Sequence, residues 1–272
     1  MLDKVTKFCD DHGYTYEFVD NKYYGLPFET NDFISKEGVK DYMNAICKYS
    51  PRDYQVEGVY DALKHNRKLL ISPTASGKSL MIYSLVRYYV EKKQNILIVV
   101  PTTSLVEQMY KDFADYGWFL DEHCHRFYAG KDKNTSKEVI ISTWQSIYKL
   151  DKRYFSQFGA VFVDEAHLAK AKSLTGIMTK LHDCKYRIGL TGTLDGTEIH
   201  RLVLEGLFTV HEQVTTTSEL IERKELSDLH IRCLVLEHTK QNKMLMRGKT
   251  YQQEMEYLST HLKRNLFIKN LT

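Results

Sequence analysis

Between Pro51 and about Thr215 the chain alternates short apolar runs with longer stretches of helical pattern. The apolar runs are residues 68–72, 95–100, 138–142, 160–163 and 186–190, and their length and composition predict buried strands. After the first run, Leu80-Met-Ile-Tyr-Ser-Leu-Val-Arg-Tyr-Tyr-Val90 is long enough for a helix. Such alternation predicts an α/β domain, a mainly parallel sheet with helices on both faces. The flanks read differently. Residues 1–50 carry a helix pattern (Leu2, Val5, Phe8, Cys9), the alternating run 14–20, and a helix opening after Ser35 with Val39, Tyr42, Met43 and Ile46 on one face. They predict a small N-terminal α/β domain. Residues 218–272 hold an alternating run over 229–236, a basic polar stretch over 240–249, and a helix with Tyr251, Met255, Leu258 and Leu262 on one stripe. The expected divisions are therefore 1–50, 51–217 and 218–272.

Two motifs stand at the ends of predicted strands. The first is Ser72-Pro-Thr-Ala-Ser-Gly-Lys-Ser79. In a phosphate-binding loop, the backbone of Thr74, Ala75, Ser76 and Gly77 would approach the phosphates. Lys78 would neutralise the β- and γ-phosphates, and the Ser79 hydroxyl would ligate Mg²⁺. The helix that follows points its N-terminus at the anion. The second motif, Asp164-Glu-Ala-His167, follows the run 160–163 and so lies at a strand's carboxyl end, where open parallel sheets bind ligands. Asp164 is the candidate second metal ligand, and Glu165 the group that orients or deprotonates the attacking water. His167 joins Lys78, Asp164 and Glu165 as the candidate catalytic set. One departure stands out: the loop pattern G-x-x-x-x-G-K-[ST] begins with glycine, and Ser72 holds that place. The pair of motifs, each on a strand end, carries the reading of ATP–Mg²⁺ binding and hydrolysis.

Composition narrows the class without naming a partner. At 272 residues the chain can bury a sizeable core and hold about two domains. Its 43% hydrophobic and 27% charged content is that of a soluble globular protein. No stretch approaches the roughly twenty apolar residues of a membrane span, and the first residues form no signal peptide, so no membrane partner is expected. Net charge is +3, yet residues 1–50 carry six Lys against nine Asp and Glu, a balance of −3. A surface for a polyanion is therefore expected outside the N-terminal segment. Five scattered cysteines without a C-x-x-C argue against a disulfide framework or structural zinc. His123-Cys124-His125 lacks a second ligand pair, and neighbours on a strand face opposite ways. Reduced thiols and a cytoplasmic location, in the bacterial host if the chain is phage-encoded, are expected.

The motifs in this order resemble superfamily 2 helicases and translocases over most of the chain after residue 50, which implies a RecA-like domain. Pro51-Arg-Asp-Tyr-Gln55 is similar to the family's adenine-reading segment, implicating Arg52 and Gln55. A glutamine offers both a donor and an acceptor, which suits adenine and favours ATP over GTP. Val99-Val-Pro-Thr-Thr-Ser-Leu-Val-Glu-Gln108 resembles motif Ia, placing Pro101 and Thr102 beside a nucleic-acid backbone, and Ile141-Ser-Thr-Trp-Gln-Ser146 resembles a later backbone-contacting motif with Thr143 and Gln145. Gly189-Leu-Thr-Gly-Thr193 resembles motif III, in which Thr191 and Thr193 would couple hydrolysis to the nucleic-acid groove; many relatives carry Ala where Gly192 stands. Taken singly, Gln55 has an alternative reading as a surface residue, Thr102 and Thr143 as helix caps or strand ends, and Thr191 as part of a turn. Phrases such as Ser142-Thr-Trp-Gln145, Tyr154-Phe-Ser-Gln-Phe-Gly159 and Lys249-Thr-Tyr-Gln-Gln-Glu254 look like phage recombination helicases. That resemblance implies ATP-dependent unwinding and branch migration of DNA in recombination, repair and replication restart.

Superfamily 2 motors close the ATP site between two RecA-like domains, the second supplying arginine fingers. No Q-x-x-G-R-x-x-R pattern follows Thr193, and Arg201, Arg223, Arg232, Arg247 and Arg264 lack that setting. The expectation is a fragment, or the first half of a split motor, whose tail is a linker and the start of an incomplete second domain. Its expected partners are branched or forked DNA and the missing domain. Two alternatives stay open: a double-stranded DNA translocase subunit, and a nucleotide-binding adaptor without motor activity. Intact Lys78, Ser79, Asp164 and Glu165 argue against the adaptor. His167, where RNA helicases carry Asp, favours DNA over RNA.

Overall fold

The computed structural model describes residues 2–17, 30–128, 135–168, 171–194, 198–209, 211–227 and 232–271. Helices α1 (Leu2–Asp11), α2 (Lys36–Ile46) and α3 (Asp53–His65) come first. Strand β1 (Arg67–Ile71) leads to α4 (Lys78–Glu91), and β2 (Ile96–Val100) to α5 (Thr103–Asp115). A short α6 (Leu120–His123) enters β3 (Cys124–Phe127), and β4 (Val139–Thr143) is followed by the single turns α7 (Trp144–Ile147) and α8 (Lys152–Phe155). Next come β5 (Ala160–Val163), a 3₁₀ turn at Ala166–Leu168, α9 (Ala171–Lys180), β6 (Tyr186–Thr191) and α10 (Glu198–Phe208). The chain continues through β7 (His211–Gln213) and α11 (Thr217–Glu222) to α12 (Lys240–Met246), α13 (Tyr251–Thr260) and α14 (Leu262–Lys269).

Among the described residues seven strands form one sheet in the order β3-β4-β2-β5-β6-β1-β7, every neighbouring pair parallel. Each of the five expected strands is present to within one residue. The two edge strands were not expected. They are short and polar, with His125 and Arg126 in β3 and His211-Glu-Gln213 in β7, because an edge strand is only partly covered. Parallel strands need right-handed crossovers, so connections that travel in opposite directions along the sheet lie on opposite faces. Strand β2 shows the result. Ile96, Ile98 and Val100 enter one core with Tyr83, Tyr89 and Phe113, while Leu97 and Val99 enter the other with Phe155, Ile177 and Phe208.

Helix α2 is capped by Ser35, whose hydroxyl accepts the Gly38 N–H at 3.1 Å, and sends Val39 and Met43 into the first core. The alternating run that begins at Tyr14 forms no strand over 14–17, and 18–20 lie outside the described residues. Contacts divide the chain after Ser227. In the second unit, residues 232–239 form neither helix nor strand, contrary to the strand expected over 229–236, whose first three residues lie outside the description. Alternation makes a strand only where a neighbour supplies ladder hydrogen bonds, and none pairs here among the described residues. The stripe through Tyr251 and Leu262 is also broken: α13 stops at His261, whose Nδ1 accepts the Arg264 N–H at 3.1 Å and opens α14. No described helix is long and apolar enough to cross a membrane.

Candidate functional site

Strand order assembles the motifs. Strands β1, β6 and β5 are neighbours, with Ile71 level with Thr191 and Val163 level with Gly189. The loops leaving their carboxyl ends are 72–79, 192–194 and the Asp164 turn, and the Ser72 N–H donates to the Thr191 carbonyl at 2.8 Å.

The loop after β1 turns tightly, with Ala75 (φ 65°) and Gly77 (φ 80°) in the left-handed region, the latter capping α4. Thr74 and Ala75 are exposed at its crest, whereas Ser72 and Ser76 are fully buried. Ser76 is its hub. Its hydroxyl accepts from Ser72 Oγ at 2.6 Å and donates to the Pro73 carbonyl at 2.7 Å. Its carbonyl accepts from Gln55 Nε2 at 2.8 Å and from the Tyr54 hydroxyl at 3.1 Å. Gln55 is buried, not a surface residue, and its Oε1 accepts the Arg52 N–H at 2.9 Å. Its amide thus has a protein partner at each end and one N–H and one lone pair to spare. Arg52 pairs with Glu225 at 3.0 Å and donates to the Tyr54 hydroxyl at 2.7 Å.

Lys78 Nζ lies 3.2 Å from Glu165 Oε1 and donates to the Ser72 carbonyl at 3.3 Å. Glu165 adopts φ 47°, a left-handed conformation uncommon for this residue type. Its other oxygen is 3.4 Å from His167 Nδ1, which lies 2.6 Å from Thr191 Oγ1. The Thr191 hydroxyl gives its one proton to the Thr193 carbonyl at 2.7 Å, so His167 Nδ1 is assigned the N–H of that contact. A continuous chain of contacts therefore joins Lys78, Glu165, His167, Thr191 and Thr193. Burial, then the neighbouring Glu165, pushes the Asp164 carboxyl up to about 6, while Lys78 and the Glu165 N–H at 3.0 Å pull it down. Two carboxylates beside one ammonium leave a negative excess that suits a divalent cation. The oxygen donors Ser79 and Asp164 suit Mg²⁺, a hard cation that takes oxygen ligands. The Ser79 hydroxyl lies 2.7 Å from that of Tyr116.

The candidate nucleic-acid residues gather one and two strands farther along the same edge, after β2 and β4. Val100 and Thr143 are level on β2 and β4, and Gln145 Nε2 donates to the Pro101 carbonyl at 3.3 Å. Thr102 and Gln145 are exposed. Thr102 also caps α5, accepting the Leu105 N–H at 3.3 Å. Thr143 is buried, its hydroxyl 2.8 Å from Ser146 Oγ. His123 stacks on Trp118 at 5.1 Å and pairs with Glu138 at 3.3 Å. No group of three or more His, Cys, Asp or Glu among the described residues is arranged to hold a metal. Sequence reasoning missed Tyr116 and Glu225, which reach the site from 37 residues beyond Ser79 and 171 beyond Tyr54 and carry no local signature.

A parallel sheet with a phosphate loop after β1 and D-E-A-H after β5 defines a RecA-like domain of superfamily 2. Within that class the chain belongs to the family described as "Type III restriction enzyme, res subunit", which matches residues 48–196. The chain is 32% identical over 282 residues to the ATP-dependent DNA helicase uvsW of Enterobacteria phage T4, covering 100% of this chain and 55% of that protein. The crystal structure of the UvsW helicase from Bacteriophage T4 matches with a TM-score of 0.67 at 33% identity, over 78% of this chain and 77% of that one. The DNA 3'-5' translocase XPB2 of Sulfurisphaera tokodaii is 32% identical over 146 residues, 54% of this chain and 31% of that protein. The chain thus spans about half the length of the first of these relatives.

Proposed function

We propose that the chain is the ATP-binding half of a DNA helicase motor, acting in recombination, repair and replication restart in the cytoplasm of a bacterial host. Residues 51–217 form its first RecA-like domain, 1–50 a small appended domain, and 218–272 the linker and start of a second motor domain that supplies the arginine fingers. The observation that carries the reading is the Lys78–Glu165 pair at 3.2 Å beside the half-buried Asp164. Without nucleotide the two charges satisfy each other. When ATP–Mg²⁺ binds, Lys78 would turn to the phosphate oxygens, leaving Glu165 free to orient or deprotonate the attacking water. Ser79 and Asp164 would hold the metal, and Arg52 and Gln55 would face the base. Thr191 and Thr193, joined to Glu165 through His167, would couple hydrolysis to a nucleic-acid groove on the same sheet edge, where Pro101 and the exposed Thr102 and Gln145 suit contacts to the backbone of branched or forked DNA. The similarity to XPB2 supports a second reading, translocation on duplex DNA by the same site.

The test is ATP turnover and binding by this chain, with and without single-stranded and branched DNA, with Lys78→Ala as blank. Mg²⁺-dependent ATP binding abolished in Lys78→Ala, without strand displacement, is the expected result. ATP binding retained in Lys78→Ala refutes the site, and unwinding by the chain alone refutes the half-motor reading.

A further inference from the structure

Ser79 is held from outside the phosphate loop. Its hydroxyl is 2.7 Å from that of Tyr116, the residue that ends α5. The Tyr116 ring is seated edge-on against Tyr83 at 5.2 Å and Tyr49 at 6.1 Å. Its N–H donates to the Asp112 carbonyl at 2.9 Å, and its carbonyl accepts the Lys48 N–H at 3.2 Å. The phenol oxygen is therefore fixed relative to the first turn of α4. Asp112, one turn earlier on α5, carries a partly buried carboxylate.

A serine hydroxyl has one proton and two lone pairs. To ligate a cation it must aim a lone pair at the ion and its proton elsewhere, because the cation repels that proton. The nearby loop groups are otherwise engaged: Ser72 Oγ and Ser76 Oγ bond each other, and Lys78 is a donor only. The Tyr116 hydroxyl, within hydrogen-bond distance of Ser79, is able to accept that proton, and groups behind a metal ligand set its orientation and the affinity of the site.

We propose that Tyr116 is a positioning residue for Mg²⁺, accepting the hydrogen bond of the Ser79 hydroxyl so that a Ser79 lone pair faces the cation. The inference rests on the reading of residues 72–79 as an ATP–Mg²⁺ site. The test is binding of a fluorescent N-methylanthraniloyl-ATP as a function of Mg²⁺ concentration, in the parent, Tyr116→Phe, Ser79→Ala and the double variant. Losing one hydrogen bond of ordinary strength should raise the half-saturating Mg²⁺ about 3- to 10-fold in Tyr116→Phe. Affinity for the metal-free nucleotide should not change. Because the effect of Tyr116 passes through Ser79, the double variant should need no more Mg²⁺ than Ser79→Ala alone. An unchanged or lowered requirement in Tyr116→Phe, additive effects in the double variant, or an equal loss of metal-free binding would overturn the proposal. If the parent itself shows no Mg²⁺-dependent binding, the reading of the site fails and the proposal falls with it. Normal parent behaviour with unshifted variants sinks only the role of Tyr116.

Discussion

Changing Ser72 to glycine would restore the usual first residue of a phosphate loop, and the structure says it should weaken the domain. Ser72 is fully buried, its hydroxyl donates to Ser76 Oγ at 2.6 Å, and its backbone is not in the left-handed region that needs glycine. Removing the hydroxyl costs about 0.5–1.5 kcal/mol, a single hydrogen bond. Ser76 is not orphaned, since it still donates to the Pro73 carbonyl at 2.7 Å. Glycine adds about 0.4–1 kcal/mol relative to alanine through the greater freedom of the unfolded chain. The sum is about 1–2.5 kcal/mol for Ser72→Gly, with Ser72→Ala near the first contribution alone, about 1 kcal/mol. A consensus argument has the opposite sign, because substitutions towards consensus commonly stabilise by about 0.5–2 kcal/mol. Urea denaturation followed by tryptophan fluorescence decides between them. Trp118 and Trp144 are the chain's two tryptophans and both lie in the first unit. The midpoint should fall in the order parent, Ala, Gly at unchanged slope. A glycine variant as stable as the parent, or more so, would refute the bracing role of Ser72.

The remaining predictions use the same site. Asp164 titrates near 6 in the folded chain against an ordinary 3.8. The folded state thus binds this proton more tightly, and Asp164 lowers stability as pH rises through that window, by up to about 3 kcal/mol above it. In EDTA, Asp164→Asn should therefore melt above the parent at pH 8 and near it at pH 4; a difference that fails to widen with pH sinks the argument. In Gly77→Ala a Cβ would fall 2.3 Å from Gln55 Nε2 at φ 80°, so the left-handed backbone and a broken Gln55–Ser76 bond should together cost roughly 2–3 kcal/mol. Unchanged melting of that variant would contradict the packing. Gly192→Ala is the contrast: its Cβ would sit 3.7 Å from Lys78 Nζ and 3.8 Å from the Ser72 carbonyl, both ordinary contacts. Its stability should stay within about 0.5 kcal/mol of the parent, and a tenfold loss of ATP binding would show that the glycine is required.

How far the chain is readable from its residues depends on the range of the interactions involved. The five central strands were legible because strands covered on both faces are apolar throughout, as the fully buried Ile96–Val100 shows. The edge strands β3 and β7 were not, since half-covered strands carry His125, Arg126 and Glu212. Alternation alone misled at 14–17 and 232–236, where no neighbouring strand completes a ladder among the described residues. The phosphate loop and the D-E-A-H run were equally legible, because a tight turn, an ammonium and a carboxylate at a strand end are local chemistry. Tertiary structure alone decides how they meet. The order β5-β6-β1 sets Asp164 and Glu165 beside Lys78 and Thr191, and burial at that junction raises the Asp164 pKa. The same folding turns Gln55 onto Ser76, Thr143 inward and Ser79 towards Tyr116. Periodicity and turn chemistry act within a few residues, whereas strand order and side-chain partners are settled by the packing of segments far apart in the chain.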